Sequence, residues 1–292
     1  MKRRYAMGGK CMPNLVKKKK NYHGILWGLG ALSLGTLMKA YNDTNRFKVN
    51  KVQFQTKKVS PGSRISILQL TDIHNKKFRD KNKKLIQMVN NVNADIVVLT
   101  GDLISRSTID FSNVYSLIEA IMKSNQNVFY VTGNHELGND HVELFLTGLE
   151  NRGVTILSNL NIQLTIGNTV MNLVGIDNAS TDHEDLGLAF EGVDEGNYTI
   201  LLSHSPNVVT KYNAIPADLI LSGHTHGGQV RLPLIGAVVG PDNSFFPKLD
   251  KGIFEIKSGQ YLYIDSGLGT TGYPVRFLNQ SQISLIEVKG EG

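Results

Sequence analysis

The chain has 292 residues, of which 41% are hydrophobic and 19% charged, and its formal net charge is +6. This length and composition fit one large α/β domain or two small ones and exclude a disordered protein. Eight of the 31 basic residues lie in the first 20 positions, which leaves 23 basic against 25 acidic residues in the rest. The body is therefore near neutral, and the composition does not predict a nucleic-acid-binding protein. The single cysteine, Cys11, excludes an intramolecular disulfide and a thiolate zinc cluster.

An uncharged apolar segment, residues 24–38, follows the basic arm. It is shorter than the ~20 apolar residues that a transmembrane helix needs, but Tyr22 and His23 extend it at the membrane interface. We expect residues 1–23 to be a basic cytoplasmic arm and 24–41 to be a membrane anchor or signal-anchor. A cleaved signal peptide and a helix lying on the membrane surface are alternatives.

The charge distribution also predicts an orientation in the cell membrane. Positive residues precede the apolar segment, which favours a single-pass anchor with the N-terminus inside and the body of the chain extracytoplasmic. The alternative is a body held at the cytoplasmic face of the membrane. No obligate protein partner is evident from the sequence.

The chain downstream of the anchor reads as an α/β protein. Residues 42–60 are interpreted as a linker and a first strand, and residues 61–292 as one domain. The predicted strands and helices then alternate, which indicates βαβ units and a mostly parallel sheet: strand 65–70, helix 83–92, strand 94–100, helix 111–122, strand 127–132 and helix 141–151. The second half instead predicts two hairpins and three single strands: 161–166 with 169–176, 253–256 with 261–265, 199–203, 219–222 and 283–288. We therefore expect two mixed sheets flanked by helices.

Five of the predicted strands end in residues that bind metal ions in proteins. These are Asp72 and His74; Asp102; Asn134, His135 and Glu136; His204; and His224 and His226. In open α/β sheets, ligands gather beyond the carboxyl ends of strands, so we expect the five groups to converge. Asp102 alone could cap a helix and Asn134 alone could make a turn, but no such explanation covers all five groups. The remaining histidines lack such a setting and are assigned no role: His23, His141 and His183.

The five groups resemble, in order, the sequence blocks of the calcineurin-like metallophosphoesterases, over roughly residues 64–290. The blocks here read Asp72-x-His74, Gly101-Asp102, Gly133-Asn134-His135-Glu136, His204 and Gly223-His224-x-His226. Residues 227–233 and 267–272 further resemble the bacterial membrane-anchored branch described as YkuE- or YaeI-like. The resemblance implies a four-layer α/β/β/α sandwich of two mixed sheets, here with an N-terminal membrane-anchor helix.

The same resemblance implies a dinuclear metal site. It assigns one ion to Asp72, His74 and His226, a second ion to Asn134, His204 and His224, and a bridging position to Asp102. Carboxylates and imidazoles without thiolates suit Mn²⁺ first, with Fe or Zn²⁺ as alternatives, and make Mg²⁺ a poor match. Two such ions, ~3.5–4 Å apart, can generate a bridging hydroxide that attacks phosphorus in line.

His135 is expected to be catalytic, together with Asp102, rather than a ligand. It could stabilise charge in the transition state or protonate the leaving oxygen. Many relatives carry an acid, three residues after the bridging aspartate, that orients this histidine, whereas this chain has Ser105. The group that orients His135 here is left open by the sequence.

The expected activity is that of a metal-dependent phosphodiesterase or pyrophosphohydrolase. The anchor, and the aromatic residues of 245–247 and 272–278, favour a membrane-associated substrate, since the branch is similar to enzymes that cleave UDP-diacylglucosamine or phospholipid-like diesters. Ordinary edge packing of those aromatic residues is the alternative. Alternative functions are a broad-specificity phosphomonoesterase at the cell surface and a non-catalytic scaffold, although the scaffold predicts missing ligands and none is missing.

Overall fold

The computed structural model describes residues 22–241 and 244–291, so most of the predicted basic arm, and Cys11, lie outside the described residues. The chain divides into two units, residues 1–38 and 39–292. The described residues form seven α-helices: α1 (Tyr22–Asn45), α2 (Lys83–Val92), α3 (Ser112–Met122), α4 (Asn134–Leu137), α5 (Val142–Glu150), α6 (Leu186–Ala189) and α7 (Val208–Lys211).

The strands follow the predicted order closely. They are β1 (Phe47–Pro61), β2 (Arg64–Leu70), β3 (Ile96–Thr100), β4 (Val128–Val131), β5 (Thr155–Ile156), β6 (Leu160–Ile166), β7 (Thr169–Gly175), β8 (Tyr198–Leu202), β9 (Leu219–Ser222), β10 (Arg231–Leu232), β11 (Gly236–Ala237), β12 (Gly252–Lys257), β13 (Gln260–Ile264) and β14 (Ser281–Gly290). Both predicted hairpins are present, as β6–β7 and β12–β13.

Two six-stranded mixed sheets form the domain. The first has the order β1-β14-β2-β3-β4-β5 and the second β12-β13-β9-β8-β7-β6. Strands β2, β3 and β4 are parallel neighbours in the first sheet, and β7, β8 and β9 are parallel neighbours in the second. The expectation of two mixed sheets is confirmed, and β10 and β11 form a separate small hairpin.

Alternating side chains place the strands between two apolar layers. In β3, Ile96 and Val98 belong to the cluster that also contains residues of the second sheet, such as Ile200. Val97 and Leu99 belong to the cluster formed with helices α2, α3 and α5. Successive side chains of a strand point to opposite faces, so this strand is buried on both faces, which explains its uninterrupted apolar sequence.

The second sheet is covered in the same way. Val208 of α7 and Ala189 of α6 cluster with Ile220 on the face of the second sheet that lies away from the first. The layers therefore run helices, sheet, sheet, helices. This stacking leaves the carboxyl ends of the parallel strands free to carry polar loops.

The region predicted as an anchor, a linker and a first strand forms a helix and a strand. α1 continues to Asn45, and β1 pairs in parallel with β14, from Phe47 opposite Ser281 to Thr56 opposite Gly290. The partner strand is more than 230 residues away in the sequence, so no local pattern could reveal this pairing. No helix among the described residues is long and apolar enough to cross a membrane.

Candidate metal centre

The polar loops at the carboxyl ends of five strands meet at one place. β2, β3 and β4 are adjacent in the first sheet and supply Asp72, His74, Asp102, Asn134 and His135. β8 and β9 are adjacent in the second sheet and supply the other three histidines, His204, His224 and His226. Parallel strands bring their carboxyl ends to a common edge, which explains how residues far apart in the sequence converge.

One group of donors contains Asp72, His74, Asp102 and His226. Their ligand atoms all lie within 4.8 Å of one another, and all four residues are buried. His74 Nε2 lies 3.0 Å from His226 Nε2 and 3.6 Å from Asp102 Oδ2. His226 Nε2 lies 3.4 Å from Asp72 Oδ1. This is the set that the family resemblance assigns to one ion, together with the bridging Asp102.

The second group contains Asp102, His204 and His224, again within 4.8 Å of one another. His204 Nε2 lies 3.3 Å from Asp102 Oδ2 and 3.1 Å from His224 Nδ1. Asn134 Oδ1 lies 3.2 Å from the same His204 nitrogen. The structure therefore brings all seven predicted ligands together, and Asp102 belongs to both groups.

The backbone of the site is held in an unusual conformation. Five of the seven donors have a positive φ: Asp72 (50°), His74 (50°), Asp102 (52°), His224 (70°) and His226 (51°). Non-glycine residues seldom adopt this conformation, and such strain is concentrated at functional sites. Gly223 allows the close approach, because a Cβ at this position would lie 2.1 Å from Thr71 Oγ1 and 2.4 Å from Asp72 Oδ2.

Glu136 binds the backbone on which Asp102 lies, a role that sequence reasoning did not assign. Its buried carboxylate accepts hydrogen bonds from the backbone N–H groups of Asp102 (2.9 Å), Ile104 (3.1 Å) and Gly133 (2.9 Å). Burial, and then the neighbouring Asp102 carboxylate, raise the pKa of Glu136 to about 7. The sequence placed Glu136 within the histidine block, but no pattern indicated that it binds three backbone groups.

Arg276 is the second contributor that sequence reasoning missed. It is fully buried, and its guanidinium donates hydrogen bonds to the backbone oxygens of Gly269 (2.9 Å from Nε) and Ser266 (2.5 Å from Nη2). Burial lowers the pKa of Arg276 to about 10. The sequence placed it within a run of aromatic and apolar loop residues, and nothing in that run distinguishes a buried arginine from an exposed one.

His135 lies beside the two donor groups without joining them. Its Nε2 is 4.0 Å from Asp102 Oδ2, and its ring centroid is 4.6 Å from that of His74. Its Nδ1 is buried and has no hydrogen-bond partner among the described residues. Burial lowers the pKa of His135, so the neutral imidazole is favoured near pH 7.

Ser105 contacts a different histidine. Its hydroxyl oxygen lies 3.3 Å from His74 Nδ1. A partner on this nitrogen fixes the orientation of the ring and leaves Nε2 facing the donor group. The serine that replaces an acid in the sequence block thus positions His74, and Asp102 is the carboxylate that faces His135.

The charges of the site are set by burial and by one ion pair. Burial opposes the charge on His204, but the neighbouring Asp102 carboxylate prevails and raises the pKa of His204 to about 10. In turn, although burial works against it, His204 holds the pKa of Asp102 well below its usual range. Burial lowers the pKa of His74 to about 4 and that of His226 well below its usual value. Both rings are therefore neutral at pH 7, as metal binding requires.

The donor set fits divalent metal ions. Among the described residues, Asp72 and Asp102 form ion pairs only with histidines, with no lysine or arginine within 4 Å. Buried carboxylates normally require a cation, and burial raises the pKa of Asp72 to about 7. The two donor groups, which share the Asp102 carboxylate, combine oxygen and imidazole donors that bind divalent metal ions in proteins.

The layered fold and the paired donor groups define a metal-dependent hydrolase of the α/β/β/α class. The family model described as "Calcineurin-like phosphoesterase" matches residues 65–228, which include every predicted ligand and more than half of the chain. The chain belongs to this family and is a metallophosphoesterase, as the resemblance of its sequence blocks implied.

Three bacterial relatives show the extent of the similarity. Metallophosphoesterase YkoQ of Bacillus subtilis is 26% identical over 257 residues, covering 86% of this chain and 94% of the relative. A metallophosphoesterase of Aquifex aeolicus is 29% identical over 276 residues, covering 89% and 99%. Metallophosphoesterase YkuE of Bacillus subtilis is 26% identical over 228 residues, covering 76% and 78%. The similarity to YkuE confirms the predicted branch.

Proposed function

We propose that the chain hydrolyses phosphodiesters or pyrophosphates with two divalent ions, and that its substrate is membrane-associated. The observation that carries the two-ion proposal is the place of Asp102 in both donor groups. Asp72, His74 and His226 would hold one ion, Asn134, His204 and His224 the other, and Asp102 both. When bound, the two ions supply a Lewis acid for the phosphoryl oxygens and activation of the attacking water.

We assign to His135 a role in acting on the substrate. Its pKa is lowered by burial, so a neutral ring is available to donate a hydrogen bond to the phosphoryl or leaving oxygen. This favours stabilisation of transition-state charge over transfer of a full proton. Asp102 accepts a hydrogen bond from the backbone N–H of His135 at 2.9 Å, which fixes the start of α4 against the centre.

Hydrolysis of bis(p-nitrophenyl) phosphate with added Mn²⁺ tests the proposed activity. His135→Ala is expected to lower kcat/KM by about 10²–10⁴-fold while the metal content per chain stays unchanged. His141→Ala, which changes an exposed histidine outside the centre, is the matched control. Metal binding without turnover above the His135→Ala background would instead support a non-catalytic scaffold, and faster hydrolysis of p-nitrophenyl phosphate would support a phosphomonoesterase.

An apolar rim on loops that follow His226 in the chain supports a lipid-like substrate. We define this rim as Leu234, Ile235, Phe245, Phe246 and Tyr273, all of which are exposed. Two hydrogen bonds join the segment that follows His226 to the loop that carries Tyr273: Arg231 N–H donates to Phe277 O at 3.0 Å, and Gln229 Nε2 donates to Thr271 O at 2.8 Å. The rings of Phe245 and Phe246 lie 6.4 Å apart, and exposed apolar side chains of this kind are typical of sites that bind apolar ligands or membranes.

The rim can be tested separately from the chemistry. Phe245→Ser with Tyr273→Ser is expected to lower hydrolysis of a phospholipid-like diester in mixed micelles by about tenfold. Hydrolysis of bis(p-nitrophenyl) phosphate should remain unchanged, as should both activities of Leu144→Ser, which changes an exposed leucine of α5. Equal losses on both substrates would contradict a lipid-facing role. A panel of diesters, monoesters and nucleoside-diphosphate lipids would then identify the preferred class.

We also propose that residues 24–41 anchor the chain and that the domain is extracytoplasmic. Support comes from the first unit, where apolar side chains such as Leu26, Trp27 and Leu32 are exposed. Protease treatment of intact cells should digest the domain. A domain that is protected in intact cells and digested after lysis would contradict this orientation and place it at the cytoplasmic face.

A further inference from the structure

A cavity of about 670 Å³ lies in the unit of residues 39–292. Its described walls come from the last turn of α1, the start of β1, the loop of residues 78–80 and helix α2, and none of the seven predicted metal ligands lines it. The cavity is therefore separate from the metal centre. Nothing in the proposed hydrolysis uses it.

Aromatic side chains form one part of the cavity, which we call the aromatic floor: Tyr41, Phe47 and Phe78. The rings of Phe47 and Phe78 pack edge to face, with centroids 5.4 Å apart. Phe78 is buried, whereas 46% of Tyr41 is exposed. At the exposed end of the floor, the Arg79 guanidinium lies over the Tyr41 ring, 5.6 Å from its centroid.

Four cations form the other part, the basic rim: Arg46, Lys48, Arg79 and Lys84. All four are exposed, and none forms an ion pair with a described acidic residue. The one carboxylate among the described walls of the cavity is Asp80, which accepts a hydrogen bond from the backbone N–H of Lys84 at 3.0 Å. Four cations beside one carboxylate leave an excess of three positive charges (4 − 1), which repel one another, and a bound anion would relieve this repulsion.

We propose that this cavity binds the anionic headgroup of an amphiphile, such as the phosphodiester headgroup of a phospholipid. The basic rim provides two guanidinium groups, which bind phosphate oxygens in a bidentate manner, and two ammonium groups. The aromatic floor accepts the apolar part of the ligand next to the headgroup. A free phosphate ion would contact the basic rim alone and leave the aromatic floor uncovered, so the combination of the two favours an amphiphile.

The sequence position of the cavity residues, close to the apolar segment, favours a lipid ligand. Tyr41 follows by three residues the run of exposed apolar side chains that ends at Met38. Basic residues next to an apolar segment are the pattern by which proteins recognise anionic lipids at a membrane surface. This inference concerns binding and does not depend on the proposed reaction.

Titration calorimetry of the full chain in a nonionic detergent tests the site. The probes are dihexanoyl phosphatidylglycerol, dihexanoyl phosphatidylcholine and glycerol 1-phosphate. Arg46→Gln with Arg79→Gln is expected to weaken binding of the phosphatidylglycerol by about tenfold or more, because two charge-assisted contacts are lost. Lys57→Gln with Lys123→Gln removes the same charge from exposed positions outside the cavity and should change binding less than about twofold.

The possible results separate the alternatives. The proposal is supported if phosphatidylglycerol binds more tightly than the other two probes and its binding is weakened by the Arg46→Gln and Arg79→Gln changes in the basic rim. Equal and rim-dependent binding of glycerol 1-phosphate would overturn the amphiphile in favour of a free phosphate site. Equal binding of phosphatidylglycerol by the basic-rim double variant and by the Lys57→Gln, Lys123→Gln control would overturn the site itself. Hydrolysis of bis(p-nitrophenyl) phosphate should be unchanged in both variants. A failure of the proposed hydrolysis can therefore be distinguished from a failure of lipid binding in the cavity.

Discussion

Arg276 Nη1 lies 3.4 Å from the backbone oxygen of His226, and Arg276 Nη2 lies 3.4 Å from His226 Nδ1. The Arg276 side chain has no exposed surface. The same guanidinium binds the backbone oxygens of Gly269 and Ser266. A single buried cation thus joins the loop that carries His226 to the loop that follows β13. The position of one predicted metal ligand depends on a residue 50 positions away in the sequence.

Removal of this guanidinium should destabilise the protein. Arg276→Met leaves the buried backbone oxygens of Gly269 and Ser266 without their donor, at a cost of about 3 kcal/mol in the free energy of unfolding. Urea denaturation of the metal-free protein measures this change. Arg64→Met is the control, because the Arg64 side chain is 68% exposed and should contribute less than about 0.5 kcal/mol. Equal stability of the two variants would show that the buried bonds contribute little.

Glu136 should be equally important to the backbone around Asp102. Glu136→Ala removes the acceptor of three backbone N–H groups, so we expect a loss of about 3 kcal/mol in the free energy of unfolding. Glu136→Gln keeps one acceptor oxygen and should lose less. Thermal denaturation of both variants distinguishes them, and an alanine variant as stable as the glutamine variant would contradict the role of these bonds.

Ser105 should affect one metal ion through His74. Ser105→Ala removes the hydroxyl that lies 3.3 Å from His74 Nδ1, and the loss of such a supporting partner typically lowers metal affinity by about 10–100-fold. Ser107→Ala, at an exposed position two residues on, is the matched control. Competition with a coloured chelator measures both affinities. An unchanged affinity in Ser105→Ala would mean that His74 is held by packing alone.

Metal binding should depend on pH in a defined direction. In the metal-free protein, Asp102 raises the pKa of His204 to about 10 against the effect of burial, so His204 carries a proton throughout the neutral range. A metal ion must displace that proton, and its apparent affinity should rise about tenfold for each pH unit from about 6 to 8. Below about pH 7, Asp72 must also lose a proton, since burial raises its pKa to about 7, and the dependence should steepen. Affinity that does not vary with pH would contradict this charge arrangement.

Local patterns in the sequence were sufficient for most elements of the domain. Helix α2 has the predicted bounds, and strand β3 was recognisable because an uninterrupted apolar run indicates burial on both faces. The pairing of β1 with β14 was not predictable, because parallel pairing across the whole domain leaves no local signal. The short helices α4, α6 and α7 have four residues each, too few for a helical period to appear.

The same distinction applies to the site. The donors could be predicted because each follows a strand and because parallel strands end at a common edge. Arg276 and Glu136 could not, because their roles depend on burial and on bonds to backbone groups that only the folded chain brings together. Ser105 was noticed as a departure from the family pattern, but its contact with His74 required the structure.

The most direct test of the account is the number of Mn²⁺ ions retained per chain after metal loading and desalting, measured by mass spectrometry. Because Asp102 belongs to both donor groups, the wild-type chain should retain two ions, Asp72→Ala one, and Asp102→Ala fewer than one. Two ions retained by Asp102→Ala, or one by the wild-type chain, would contradict a centre in which this carboxylate is shared.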